Sequence, residues 1–149
     1  MKRIAALAIA ATLLCLLCST SDVQAADPIN GKWKVYTVLE TAQHAINEGY
    51  KPGDVRLEAW RIKAKGRSAS LTTPSGTITG VKVGKAWVFD QQYEVYYPVA
   101  LHMHIVARIK GAGKLRGTIE ARYWDVRYDS EIAGVLAIDA WTFSGTKRK

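Results

Sequence analysis

The hydrophobic and polar positions alternate most regularly over residues 99–127, where two long runs are joined by a glycine-rich turn at 111–113. Alternation with a period of two indicates β-strands, and the short glycine connection indicates an antiparallel hairpin. A three-residue turn with Gly113 in the left-handed region pairs Lys110 with Lys114. Counting outward from that pair predicts the register: Ile105 opposite Ile119, Leu101 opposite Tyr123, and His104 opposite Glu120.

Weaker alternation elsewhere predicts six more strands, most of them separated by short turns containing Gly or Pro. The eight predicted strands cover residues 32–41, 55–64, 67–73, 77–83, 85–91, 99–109, 114–127 and 135–146. One short helix is predicted over residues 41–50, and a tyrosine-rich connection over residues 92–98. The alternation slips at 59–60, which indicates a bulge in the second strand. The pattern is typical of an all-β sandwich or barrel, and a single antiparallel up-and-down barrel is the simplest arrangement because it removes the sheet edges.

The first 25 residues predict a cleaved signal peptide, which leaves residues 26–149 as the barrel domain. Lys2 and Arg3 precede an apolar run over 4–17, and small residues follow at 23–25. A membrane anchor is the alternative, but the run is shorter than the ~20 apolar residues that a span needs. We therefore expect a protein exported to the periplasm or secreted. Cys15 and Cys18 leave with the peptide, so the mature chain has no thiol for a disulfide or a nucleophile.

The net charge of +8 falls to +7 without the signal peptide, with 19 basic and 12 acidic residues remaining. Up-and-down strands would bring 14 of those 19 basic residues to one end, the basic end, and 9 of the 12 acidic residues to the other, the acidic end. The basic end includes Lys65, Arg67, Lys85, Lys110, Lys114 and Arg116. It predicts an anionic partner, above all an anionic lipid surface, unless these lysines serve only solubility. A cavity open at the acidic end would favour a neutral or cationic ligand.

The first strand opens with Gly31, Lys32 and Trp33, and this Gly-x-Trp sequence resembles the first motif of the lipocalins and the wider calycin group. The resemblance implies an exported eight-stranded meander barrel that holds a small apolar molecule. It also implies that Trp33 closes one end of the barrel beside a basic residue, here Arg148 or Lys147. The second motif of that family and its cysteines are missing from this sequence.

His102 and His104 share one face of a strand, so they could hold a metal ion if Glu120 supplied a third ligand. Arg122 lies beside His102 in the predicted register and disfavours a cation, so a surface histidine pair is the stronger interpretation and we predict no metal site and no cofactor. Asp139 lies in the middle of the last strand, either as a ligand contact or as the partner of a buried tyrosine or arginine. The predicted cavity lining is Leu101, Met103, Tyr123, Asp139 and Tyr96.

Motifs for catalysis are missing: the sequence has no nucleophile elbow, no phosphate-binding glycine loop and no spaced metal motif. The aromatic residues are not interleaved with the basic end's lysines in the repeated pattern that stacking on nucleic acid would require. We therefore predict a monomer that binds a small apolar or amphipathic molecule without catalysis. The alternative is a structural or interaction protein with a filled barrel that acts through its charged ends, and an enzyme is the third possibility.

Overall fold

The computed structural model describes residues 27–43 and 51–149, which form a closed antiparallel barrel. The strands are β1 (Gly31–Gln43), β2 (Val55–Lys65), β3 (Ser68–Thr73), β4 (Gly76–Val83), β5 (Ala86–Tyr96), β6 (Val99–Ile109), β7 (Lys114–Asp125) and β8 (Val135–Lys147). Each strand pairs with its neighbours in sequence, and β8 pairs with β1 to close the wall. The predicted up-and-down barrel is confirmed. The predicted signal peptide lies outside the described residues. In the two described ranges, no helix is long and apolar enough to cross a membrane.

The β6–β7 hairpin has the register that the sequence predicts. Ile105 lies opposite Ile119, and the Lys110 amide donates a hydrogen bond to the Lys114 carbonyl oxygen at 2.9 Å. Gly113 has a φ of +68°, which is the left-handed conformation that the turn requires. Gly111 is also left-handed, with a φ of +70°. The geometry of this glycine turn therefore determines which side chains of two long strands face the interior, because a shift by one residue would reverse every side chain.

Two boundaries differ from the prediction, because pairing between distant segments extends the strands. The predicted helix over 41–50 is wrong at its start: Thr41 to Gln43 continue β1 and pair with β8 beyond a bulge that follows Leu39. Residues 44–50 lie outside the described residues. The predicted connection over 92–98 is also wrong, since β5 remains paired with β6 as far as Tyr96. Aromatic residues favour strands, and here the ladder satisfies their backbone groups.

The bulge predicted at 59–60 is absent, since β1 and β2 stay in one unbroken register from Gly31 to Val38. The slip in the pattern has another cause. Arg56 and Glu58 face the interior, whereas their neighbours Val55 and Leu57 are 61% and 57% exposed on the outside. The strand β2 is regular, but in its first half the charged side chains face the interior and the apolar side chains face outside.

The half of the barrel next to the basic end is filled by large apolar side chains. Among them are Trp33, Ile62, Leu71, Trp87, Phe89 and Leu115, none of which is more than 2% exposed. Trp33 donates its indole N–H to the Ile29 carbonyl oxygen at 2.9 Å, and the Lys147 Nζ lies 5.7 Å from its ring centroid. Of the two basic residues predicted to lie beside Trp33, Lys147 takes that position. Arg148 instead donates its backbone amide to the Lys32 carbonyl oxygen at 2.8 Å.

The barrel topology separates the charges as predicted. The β2–β3, β4–β5 and β6–β7 connections lie at one end together with both termini of the barrel, and this is the basic end. Asp27 is the acidic residue found there among residues 27–43 and 51–149, and its carboxylate accepts a hydrogen bond from Lys82 at 2.7 Å. Among the described residues, the other cations of this end form no ion pair with a carboxylate.

Candidate functional site

The half of the barrel next to the acidic end encloses a cavity of about 250 Å³. Every strand contributes to its wall, and so does the β3–β4 turn. The lining residues are Thr37, Arg56, Glu58, Trp60, Thr73, Ser75, Ile78, Tyr93, Leu101, Met103, Ile105, Ile119, Ala121, Tyr123, Asp139 and Trp141. The interior is therefore filled in one half and open in the other.

One side of the cavity is apolar. The β6–β7 hairpin contributes Leu101, Met103, Ile105 and Ile119, which its register places on the inner face. The floor is closed where the rings of Trp60 and Phe143 meet, with centroids 4.8 Å apart. This side, which we call the apolar wall, has no charged group among the lining residues.

The strands β8, β1 and β2 form a polar wall, which consists of Asp139, Thr37, Arg56 and Glu58. The guanidinium carbon of Arg56 lies 4.8 Å from the ring centroid of Trp141, so the cation stacks on the indole. Glu58 accepts a hydrogen bond from the indole N–H of Trp60 at 2.6 Å. Burying a charged group costs free energy unless other interactions offset the loss of water. The Arg56 guanidinium and the Glu58 carboxylate each interact with a tryptophan side chain.

Asp139 is the most deeply buried charge of the polar wall, with 7% of the residue exposed. Burial raises the pKa of its carboxyl group, and the positive charge of Arg56 offsets only part of that effect. A raised pKa despite a nearby guanidinium means that the carboxylate is incompletely compensated. Any cation brought into the cavity would stabilise the ionised form.

Thr37 contributes a second polar group without full compensation. The residue is 2% exposed, and its Oγ1 has no hydrogen-bond partner in the described part of the chain. A buried hydroxyl without a partner costs free energy, so native proteins retain few of them. Its cross-strand neighbour on β2 is Arg56, so both belong to the same patch of the polar wall.

Four of the five residues predicted to line the cavity lie on its wall: Leu101, Met103, Tyr123 and Asp139. Tyr96 does not, because the register of β5 shifts after Glu94 and leaves this side chain 57% exposed at the end of the strand. Tyr93 takes the inward position instead. The sequence analysis missed the polar residues Thr37, Arg56 and Glu58. The slip in the alternation of β2 was the signal that could have found two of them.

His102 and His104 lie on the outer face of the barrel, behind the apolar wall. The imidazole of His102 lies between two carboxylates: its Nε2 forms a short contact with Asp90, and its Nδ1 lies 3.0 Å from Glu131. His104 shares Asp90, with 2.7 Å between its Nδ1 and the carboxylate. The hydrogen bonds with Asp90 and Glu131 raise the pKa of His102 against the opposing effect of burial.

Arg122 completes this outer network and uses the carboxylates that a metal ion would need. It donates to Glu120 at 2.6 Å and to Glu131 at 3.1 Å. Glu120 is the cross-strand neighbour of His104, as predicted, but its carboxylate pairs with Arg122. Across the two described ranges, no group of three or more His, Cys, Asp or Glu side chains could hold a metal ion. The network ties the β7–β8 connection, through Glu131, to the barrel wall.

No family model and no curated protein matches this chain. A solved structure described as EF1p2_mFAP2b bound to DFHBI is similar to it, with 18% sequence identity and a TM-score of 0.41. The similarity covers 81% of this chain and 94% of the other. A likeness at this TM-score carries no information about function, which has to be inferred from the cavity itself.

Proposed function

We propose that this protein is an exported, non-catalytic binding protein whose barrel holds one small amphipathic molecule. The observation that carries the proposal is the two-sided cavity, with Arg56, Glu58 and Asp139 on one wall and apolar side chains on the other. Protein interiors are normally packed without voids larger than a water molecule. An open cavity in a barrel whose other half is filled supports ligand binding over the alternative of a completely filled barrel.

The cavity volume limits the size of the ligand. An apolar cavity of about 150 Å³ accommodates benzene, so about 250 Å³ accommodates a molecule of roughly ten non-hydrogen atoms. A long-chain fatty acid is too large to be enclosed. The apolar wall suits a ring or a short hydrocarbon, and the polar wall requires a group that can form hydrogen bonds or carry charge.

The experiment that tests this proposal measures the binding of 2-phenylethanol by calorimetry and by NMR. Ala121→Leu adds about three buried carbon atoms to the lining of the cavity, and Ala59→Leu adds the same atoms to the exposed outer face of β2. We expect the wild-type protein and Ala59→Leu to bind the alcohol equally and Ala121→Leu to bind it at least about tenfold more weakly. The methyl resonance of Met103 should shift on binding. Equal binding by both variants contradicts the proposal, and so does a wild-type protein that binds neither this alcohol nor its cationic and anionic analogues.

A second candidate function concerns the basic end, which we propose contacts an anionic lipid surface. The cations Lys65, Arg67, Lys85, Lys110, Lys114 and Arg116 support it, since the barrel topology brings them to the same end. Each cation close to such a surface contributes about 1 kcal/mol, and salt screens the attraction.

Vesicle binding tests the lipid proposal. Lys110→Glu combined with Lys114→Glu should abolish binding to vesicles that contain phosphatidylserine at low salt. Lys51→Glu combined with Arg127→Glu makes the same change in charge at the acidic end and should have little effect. Equal, weak binding to phosphatidylserine and to pure phosphatidylcholine vesicles ends the proposal, whatever the result for the cavity. Export is tested separately by N-terminal sequencing of the mature protein, which should begin at residue 26.

A further inference from the structure

The charges that face the cavity are unbalanced. Among the described residues that line it are two carboxylates, those of Glu58 and Asp139, and one cation, Arg56. Arg56 is also stacked on Trp141, so the indole contributes to its position. When both carboxylates are ionised, the charges of the described lining sum to a net negative charge.

Asp139 is the carboxylate that remains undercompensated. Glu58 is a hydrogen-bond acceptor for Trp60, whereas burial raises the pKa of Asp139 despite the positive charge of Arg56. A positively charged ligand group beside Asp139 would therefore gain a charge-assisted interaction in a low-dielectric site. An anionic group would meet a net negative charge and one arginine that already has neighbours.

The rest of the lining also suits a cation with an apolar body. Trp60, Tyr93, Tyr123 and Trp141 present aromatic rings to the cavity, and such rings attract ammonium groups. The cavity lies in the half of the barrel next to the acidic end, where an excess of negative charge raises the local concentration of cations. The buried carboxylate, the aromatic lining and the charge of the acidic end all favour the same sign of ligand.

We propose that the ligand is a small organic amine, whose ammonium group binds beside Asp139 at the polar wall and whose apolar body contacts the β6–β7 hairpin. This inference rests on the proposed function, because it names the chemical class of the molecule in the same cavity. It also assigns Asp139 as the residue that distinguishes charged from neutral ligands.

A matched series of probes tests the sign of the charge. The compounds 2-phenylethylamine, 2-phenylethanol and phenylacetate have the same ring and a similar chain, but they are cationic, neutral and anionic near pH 7.5. We expect calorimetry to give the amine an affinity at least about tenfold higher than that of the alcohol, with phenylacetate the weakest. If none of the three binds, the proposed function fails. If the alcohol or phenylacetate binds as tightly as the amine, only the present inference fails.

Asp139→Asn tests the residue, and Asp129→Asn in the exposed β7–β8 connection is its control with the same change of charge at the same end. Asp139→Asn should reduce the preference for the amine over the alcohol, measured as the ratio of the two affinities in the same variant, to less than about threefold. Asp129→Asn should retain the full preference. Retention of the preference by Asp139→Asn overturns the assignment.

The pH dependence of the wild-type protein gives a readout that does not need the variant to fold. Protonation of Asp139 removes the charge that the ammonium binds, so the affinity for the amine should fall as the pH is lowered through the raised pKa of this residue. The affinity for the alcohol should stay constant over the same range. An amine affinity independent of pH contradicts the inference.

Discussion

Replacement of Thr37 by valine is the sharpest test of the polar wall. The Thr37 residue is buried, with 2% of its surface exposed, and its hydroxyl has no hydrogen-bond partner in the described part of the chain. Valine replaces the hydroxyl by a methyl group of nearly the same shape. Since a buried hydroxyl without a partner costs about 1–3 kcal/mol, Thr37→Val should raise the free energy of unfolding by that amount. For a domain of this size, each 1 kcal/mol raises the melting temperature by about 3–6 °C.

Urea unfolding measures this change in the free energy of unfolding. The comparison requires the same m value, the slope of that free energy against urea concentration, in all variants. Thr142→Val is the matched control: the hydroxyl of Thr142 is exposed and donates to Glu40 at 2.7 Å. Its loss should lower the stability slightly, by less than about 1 kcal/mol. Thr37→Ser keeps the buried hydroxyl but removes a methyl group, and it should be less stable than the wild type. The reasoning is refuted if Thr37→Val is no more stable than the wild type.

Three further predictions concern the barrel itself. Gly117→Ala should cost more than about 2 kcal/mol in urea unfolding, because its Cβ would lie 1.9 Å from a carbonyl oxygen of β6. Gly84→Ala, with nothing within 4 Å, should cost only the ~1 kcal/mol of its left-handed backbone. Because the pKa of His102 is raised, its protonated form stabilises the fold below about pH 6.5, and this contribution is lost as the pH rises through the raised pKa. His102→Gln should therefore make the free energy of unfolding less dependent on pH over that range. Lys147→Ala should lose about 0.5–1 kcal/mol of stability and Arg148→Ala almost none.

The sequence predicts the features of this fold that depend on short-range geometry. Gly113 determines the turn of the β6–β7 hairpin, and the turn determines the register of both strands. The separation of charge follows from the number of strands alone. In contrast, the strand conformation of Ala42 and Gln43 depends on pairing with β8, almost one hundred residues away, and no local pattern contains that information. The same is true of Tyr96, whose direction depends on a register shift within the β5–β6 pair.

The cavity was harder to predict because its polar wall breaks the rule on which the prediction relies. An alternating strand is expected to place apolar residues inside, so the slip in the alternation at residues 59–60 indicated a bulge. The structure keeps the strand regular and reverses its polarity, with Leu57 exposed outside. This arrangement lowers the stability of the fold in two ways, because it exposes an apolar side chain to water and buries charged groups. Local rules are broken in this way mainly at functional sites, and in β2 the reversed segment is the one that lines the cavity.

The two proposed activities occupy opposite ends of the barrel, and the packed half separates them. Trp33, Phe89 and Leu115 fill the interior between the cavity and the basic end. Because closely packed interiors deform little, binding at one end has no evident route to the other. The amine affinity should therefore be the same in the presence and absence of phosphatidylserine vesicles, and changes at Lys110 and Lys114 should leave it unaltered. Coupling between the two would show that the barrel moves as a whole, which the filled core argues against.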